Sequence, residues 1–256
     1  MKVVILAGGF GTRISEESYL KPKPMIEIGG MPILWHIMKI FYHQGFDDFI
    51  ICAGYKQHII KEWFANYSLY RSDITFDFSQ NNKMIIHNNY SESWKVTIVD
   101  TGLDTLTGGR IKRIKKYIND EMFIMTYGDG LANIDVKALV EFHNAHNKVV
   151  TLSAVVPQGR FGMMDIDGDM VKTFREKSKE DVGWINGGFM VLTKEVFDYI
   201  DGDSVSFEKE PLERLAKEGK LCCYKHNGFW QCMDTMRDKE FLENEWATGK
   251  AKWKIW

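Results

Sequence analysis

Val3-Val4-Ile5-Leu6-Ala7-Gly8-Gly9-Phe10-Gly11-Thr12-Arg13 stands almost at the start of the chain. Its first five residues are apolar without a break. A strand wet on one face alternates apolar with polar residues, so this run predicts a strand covered on both faces. The three glycines that follow let backbone N–H groups approach an anion. Thr12 adds a hydroxyl and Arg13 a fork of donors. Taken alone, the loop reads equally well as a tight turn that needs glycine. Two familiar nucleotide loops fit poorly. A dinucleotide loop would place a third glycine where Ile14 stands, and no helical periodicity follows at once. A P-loop would need a Gly-Lys-Ser/Thr that is missing here.

Outward from this stretch the same alternation continues. Pro32 opens a helix with Ile33, Leu34, Ile37, Met38 and Phe41 at helical spacing, and Gly45 lies past its end. Residues 49–53 read as a second buried strand, 59–67 as a helix and 123–127 as a third strand that ends in Gly128-Asp129-Gly130. A helix over 136–146 and a strand over 149–156 follow. This alternation predicts an α/β fold: a Rossmann-like, mostly parallel mixed sheet flanked by helices. Ligands in such sheets bind at the carboxyl ends of strands, where Gly8-Gly9 and Gly128-Asp129 both fall. Residues 74–100 break the pattern with short β stretches and polar runs, and read as an inserted hairpin or flap. Residues 163–175 read as a hairpin turning at Asp167-Gly168-Asp169. The last quarter reads as helices over 211–217 and 237–248 with a strand over 221–225, a helical and β extension. Nothing demands a second domain.

Composition sets the outer limits. The chain has 256 residues, 45% hydrophobic and 27% charged, an ordinary globular balance. A formal net charge of -2 gives no general basic field, so neither nucleic acid nor a membrane is expected as a partner. The apolar run at the N-terminus is too short for a signal or membrane segment. Cys52, Cys222, Cys223 and Cys232 show no Cys-x-x-Cys spacing, so neither a zinc site nor a disulfide framework is expected, and a reducing, cytoplasmic setting is the plain reading. Eight tryptophans predict an aromatic core or a large subunit interface.

Two more features could carry chemistry. In Lys21-Pro22-Lys23-Pro24-Met25 the prolines stiffen the backbone around two lysines. The bland reading is an exposed basic loop; the phosphate reading rests on its closeness to the glycine loop. Asp129, between glycines at a strand end, suits a magnesium ion, which takes oxygen ligands and keeps positions open for phosphate. A turn aspartate is the bland alternative.

Together these residues resemble the sugar nucleotidyltransferase family. The resemblance rests on Leu6 to Arg13, Lys-Pro-Lys-Pro-Met, Glu27-Ile28-Gly29-Gly30-x-Pro32-Ile33-Leu34 and Gly-Asp-Gly. Further motifs narrow it to the branch that uses CTP and glucose 1-phosphate: Leu34-Trp35-His36-Ile37-Met38-Lys39, Val99-Asp100-Thr101-Gly102, Thr107-Gly108-Gly109-Arg110, Gly159-Arg160-Phe161-Gly162, Ile185-Asn186-Gly187-Gly188-Phe189 and Gly228-Phe229-Trp230-Gln231-x-Met233-Asp234-Thr235. The resemblance implies a metal-assisted enzyme making CDP-glucose and pyrophosphate, with a place in deoxysugar and cell-surface polysaccharide synthesis. It implies that Leu6, Ala7, Gly8, Gly9, Phe10, Gly11, Thr12, Arg13, Lys23 and Gly128 line the nucleotide and its phosphates. Thr105, Thr107, Gly108 and Arg110 would meet the base or triphosphate, in this subunit's site or in a neighbouring subunit's, Asp129 and Asp234 would hold Mg2+, and Glu176, Lys177, Asn186 and Gly187 would face the sugar phosphate. Arg13, Lys23, Asp129 and Lys177 would carry the catalysis. It also implies one domain over 1–256 and a homo-oligomer, a hexamer. Roughly, 1–130 would form a nucleotide half, 131–235 a sugar-phosphate half and 236–256 an oligomerisation segment. Two departures bear on loop stiffness near the sugar: Ser178 and Cys232 stand where relatives carry proline.

Other features read as structure. His36 lies on an apolar helix face and reads as a packed or interface histidine. Cys222-Cys223 lies in a strand pattern. Lys112-Arg113-x-Lys115-Lys116 reads as the wet face of a helix whose Ile111, Ile114 and Ile118 turn inward. Trp246, Trp253 and Trp256 read as anchors of a subunit contact, since a tail without its own core packs onto something. Competing functions are a relative using UTP, dTTP or GTP, a non-catalytic nucleotide-binding regulator and a dinucleotide oxidoreductase. Ile14 disfavours the last, and two separate metal carboxylates disfavour the regulator.

Overall fold

The computed structural model describes residues 1–157, 163–167, 170–175 and 183–256. Strand β1 (Val3–Ala7) leads through the glycine loop to a short helix α1 (Ser15–Ser18). A small pair, β2 (Glu27–Ile28) and β3 (Met31–Pro32), precedes α2 (Ile33–His43), β4 (Asp48–Ala53) and α3 (Gln57–Tyr70). Next come β5 (Ser72–Asp77), β6 (Lys83–Asn89), β7 (Lys95–Asp100), α4 (Thr107–Arg113), β8 (Met122–Tyr127) and β9 (Gly130–Ala132). Helix α5 (Val136–His146) and β10 (Val150–Val155) lead to a hairpin of β11 (Met163–Asp167) and β12 (Met170–Arg175). The chain ends through β13 (Ile185–Thr193), α6 (Glu210–Lys217), β14 (Leu221–His226), β15 (Trp230–Cys232) and α7 (Met236–Ala247).

Seven strands form the central sheet in the order β14-β10-β13-β8-β1-β4-β7. Among the described residues β13 alone runs against the others. The apolar run that opens the sequence sits at the centre, between β8 and β4. Its alternate residues serve two cores. Val3, Ile5 and Ala7 face α2, α5 and the C-terminal segment, while Val4 and Leu6 face Ile111, Phe123 and Phe197. Both faces are dry, which is why the run does not alternate.

One expectation needs correction. The sequence reading put all of residues 74–100 in an insertion. Strands β5 and β6 do form a separate hairpin, but β7 is the edge of the main sheet, parallel to β4. Its Lys95, Val96, Thr97 and Ile98 are not fully buried, so this strand lacks the unbroken apolar run of the centre. The basic run is helical only in part: α4 ends at Arg113 and Lys115–Tyr117 forms a 3-10 turn. Ile111, Ile114 and Ile118 are buried, and Arg113 pairs with Asp203. Lys112, however, donates to the carbonyls of Ile200 and Asp201 rather than only meeting water.

The tail packs onto its own chain. Trp253 and His36 are both 0% exposed. The rings of Trp35, Trp246, Trp253 and Trp256 surround the imidazole. Trp253 Nε1 donates to His36 Nδ1 at 3.4 Å, so Nε2 carries the proton and donates to the Ile28 carbonyl at 2.8 Å. Burial, helped by the nearby Lys254 charge, pushes the His36 pKa down to about 4. In the unfolded chain the imidazole titrates near 6.5. Below that pH the unfolded state takes up a proton that the folded state refuses, so stability falls with acid and levels off near pH 4. The expected loss across this window is about 3 kcal/mol. Urea unfolding from pH 7 to 4 checks this: His36→Gln should flatten the slope, and an equal slope in both proteins would refute the assignment.

Candidate active site

The site forms where β1 and β8 end. A cavity of about 460 Å³ opens there, lined by the loop from Leu6 to Arg13, by Lys23 and Pro24, by residues 103–107 with Arg110, and by Tyr127, Gly128 and Asp129. The sequence marked most of this wall. Leu103, Asp104, Leu106, Pro24 and Tyr127 were not singled out as ligand-facing, because no motif distinguishes a wall residue from an ordinary loop residue.

The glycine loop is shaped by real constraints. Gly11 has φ +67°, a left-handed conformation that favours glycine. A Cβ on Gly8 would lie 2.1 Å from Arg110 NH1. Arg110 itself is buried, and its guanidinium donates to the carbonyls of Gly8, Gly102 and Leu103 and to Thr101 Oγ1 at 2.8–3.1 Å. The sequence reading placed Arg110 against the base or triphosphate. In the structure it forms part of the wall, with those donors spent on loops it holds together. Thr107 is engaged in a similar way: its hydroxyl donates to Glu208 at 2.6 Å and accepts from Phe207 N–H. Thr105 is buried at the cavity wall, and Gly108 lies against the Val205 carbonyl.

The charged centre is a knot around Lys23. Pro22 is extended, and residues Lys23–Met25 then form one 3-10 turn. That turn carries Lys23 inward, to 8% exposure, whereas Lys21 reaches Glu27 outside. Of the two lysines Lys23 alone lines the cavity. Lys23 Nζ lies 2.5 Å from Asp129 Oδ2 and 2.6 Å from Asp234 Oδ1. Arg13 reaches the other Asp234 oxygen at 2.6 Å. Burial opposes charge on Lys23, but Asp129 and Asp234 outweigh it and hold its pKa above the ordinary value. Burial likewise opposes charge on Asp234, and the hydrogen bond and charge of Lys23, with Arg13, hold its carboxyl below its ordinary value.

Two distant sequence positions meet here through a short pairing. Strands β9 and β15 run antiparallel with Gly130 opposite Cys232, and Met233 N–H donates to the Asp129 carbonyl at 2.8 Å. Asp238 then fixes the backbone from behind: its carboxylate accepts from the N–H groups of Asp234 and Thr235, in a capping box that starts α7. Cys232 sits in β15. Burial, with Asp234 and Asp129, pushes its thiol up to about 12, so it stays a neutral group.

Of the sugar-side residues, Asn186 and Gly187 lie on β13, while Glu176, Lys177, Ser178 and the 159–162 motif lie outside the described residues. Gly187 is buried, and its carbonyl accepts from Trp230 Nε1 at 2.8 Å. Among the described residues no group of three or more His, Cys, Asp and Glu side chains converges as a metal cage. What converges is a pair of carboxylates on one cation. A hard ion that shares its shell with phosphate needs few protein oxygens, and such a pair fits it.

The chain is similar to known proteins over its full length. The family model for nucleotidyl transferase matches residues 2–238. The glucose-1-phosphate cytidylyltransferase of Salmonella typhi is 56% identical over the full length of both chains. A probable glucose-1-phosphate cytidylyltransferase of Bacillus subtilis is 45% identical, also over the full length of both. In the crystal structure of HddC from Yersinia pseudotuberculosis the same fold recurs with a TM-score of 0.69 and 28% identity, covering 96% of this chain and 99% of that one. The chain belongs to the nucleotidyl transferase family.

Proposed function

We propose that this enzyme transfers the cytidylyl group from CTP to glucose 1-phosphate, giving CDP-glucose and pyrophosphate. The observation that carries the reading is the Lys23 knot at the mouth of a glycine-lined cavity. Full-length likeness to the Salmonella typhi enzyme supports the choice of substrates.

In the reaction a phosphate oxygen of the sugar phosphate attacks the α-phosphorus, and the bond to the pyrophosphate oxygen breaks on the opposite side. No proton needs to be taken from the attacking phosphate and no protein nucleophile is required. The protein has to align two anions and neutralise their charge. Backbone N–H groups from Gly8 to Thr12 would receive the triphosphate, with Arg13 and Lys23 against its charge. Asp129 and Asp234 would hold magnesium, which when bound draws the phosphate oxygens together and neutralises developing charge. Lys23 neutralises both carboxylates, and with a metal held by them its ammonium would be free to face phosphate. Asn186 and Gly187, with Glu176 and Lys177, would hold the sugar phosphate. Residues 1–130 and 131–235 then act as nucleotide and sugar halves.

A homo-oligomer is part of this reading. Phe76, Phe78, Met84, Ile85 and Ile86 of the β5–β6 hairpin region are exposed. A two-stranded hairpin is marginal alone in water, and an apolar surface of this kind suits a subunit contact. Trp253 of the 236–256 segment is spent on its own core, so the hairpin is the better-supported arm.

The test is pyrophosphate release with CTP, UTP, dTTP or GTP, each paired with several sugar 1-phosphates and magnesium. CTP with glucose 1-phosphate should give the fastest release. Faster release with another nucleotide would reassign the base, and binding of CTP without release under any pairing would favour a regulator.

A further inference from the structure

Glu208 lies in the turn before α6, outside every motif, and it collects three hydroxyls. Thr107 Oγ1 and Ser206 Oγ donate to its Oε2 at 2.6 and 2.7 Å, and Tyr127 OH donates to its Oε1 at 2.7 Å. Ionised, a carboxylate only accepts, so all three hydroxyl protons must point toward it. Tyr127 has then spent its proton and presents a lone pair. Asn186 Nδ2 reaches that oxygen at 3.3 Å, while Asn186 Oδ1 accepts from Gly188 N–H at 2.9 Å. Both ends of the Asn186 amide are thereby assigned. The turn is firmly placed: Leu106 N–H and Gly108 N–H donate to the carbonyls of Asp203 and Val205 at 2.8 and 2.9 Å. Added Cβ atoms on Gly108 and Gly109 would lie 2.7 Å from the Val205 carbonyl and 2.5 Å from Asp203 Cα, so the glycine pair lets the loop lie against α4.

We infer that Glu208 is a positioning residue that ties the start of α4, at the nucleotide wall, to Asn186 through the Tyr127 hydroxyl, and so fixes the amide that meets the sugar. The inference rests on the sugar-side reading of Asn186. A neutral amide in place of Glu208 can donate as well as accept. One hydroxyl could then reverse; when it is that of Tyr127, Asn186 Nδ2 loses its acceptor and only the Gly188 N–H bond to Oδ1 still holds the amide.

The experiment measures KM for glucose 1-phosphate and for CTP separately in Glu208→Gln, Tyr127→Phe, their double variant and Asn186→Ala. Glu208→Gln should raise KM for the sugar phosphate about tenfold, the scale of one hydrogen bond to a charged group, and leave KM for CTP within about twofold. Tyr127→Phe should raise KM for the sugar phosphate by a similar factor, and the double variant should be no worse than either single one, because all three break one chain. Equal rises in both KM values, or additive effects, would show a merely structural role and overturn the inference. An effect of Asn186→Ala with none of Glu208→Gln would overturn the inference and leave the sugar site standing. No effect of Asn186→Ala would overturn both.

Discussion

Asp129→Asn is expected to cut turnover about a hundredfold to a thousandfold while the thermal unfolding midpoint hardly moves. The two effects separate for a physical reason. The asparagine amide keeps the shape and one acceptor oxygen, so it can still meet Lys23, and Lys23 keeps Asp234 at 2.6 Å. The Asp129 side chain is 27% exposed, so water can solvate what the substitution leaves unpaired. The charge is what disappears. A neutral amide is a poor ligand for magnesium, and loss of one preorganised electrostatic contact at a phosphoryl centre commonly costs a hundredfold to about a thousandfold. Pyrophosphate release and a melting curve on the same preparation check both halves. Activity within about threefold of the parent would remove Asp129 from the metal site.

Lys23→Met should be harsher because it affects fold and chemistry together. Lys23 is the shared cation of two carboxylates, and without it Asp129 and Asp234 face each other with only Arg13 to help. Breaking a fully buried pair costs roughly 3–5 kcal/mol; with both carboxylates partly exposed, about 2 kcal/mol is expected here. Turnover should fall about a thousandfold through loss of charge at the triphosphate. Acid gives a signature with a definite sign. In the parent the Asp234 carboxyl is held below its ordinary value, so its contribution is present at neutral pH and lost as pH falls through its folded pKa. In the variant two unneutralised carboxylates raise one folded pKa, so protonation favours the folded state and the deficit shrinks as pH drops. Magnesium should also raise the melting point of the variant more than that of the parent, since no ammonium competes for the carboxylates. A parent-like melting point and no magnesium effect would contradict the shared-cation account.

Much of this molecule was legible in its sequence, and for a reason. The central strands are dry on both faces, so β1, β4 and β8 appear as unbroken apolar runs. Helices α2 and α5 carry clear periodicity and start and stop signals. The edge strand β7 was obscured because an edge is half wet. The candidate site was marked where chemistry restricts residue type, at the glycine loop, Lys23 and Asp129; Asp234 was marked by the family resemblance alone. It was not legible where a role depends on who stands nearby. Nothing in the sequence showed that the Arg110 guanidinium is bound to loop carbonyls. Glu208 looked like any loop glutamate, yet it collects three hydroxyls. The meeting of Asp129 with Asp234, more than a hundred residues later, depends on the three-residue strands β9 and β15, too short to show a pattern.

The central claim is a direct transfer: a cavity with charges and backbone donors, and no protein nucleophile on the path. Stereochemistry at phosphorus tests it most directly. A single diastereomer of CTP carrying sulfur on the α-phosphorus should give CDP-glucose with the configuration at that phosphorus inverted, as one in-line displacement requires. Retention would mean two displacements through a nucleotidyl-enzyme intermediate, and would contradict the account.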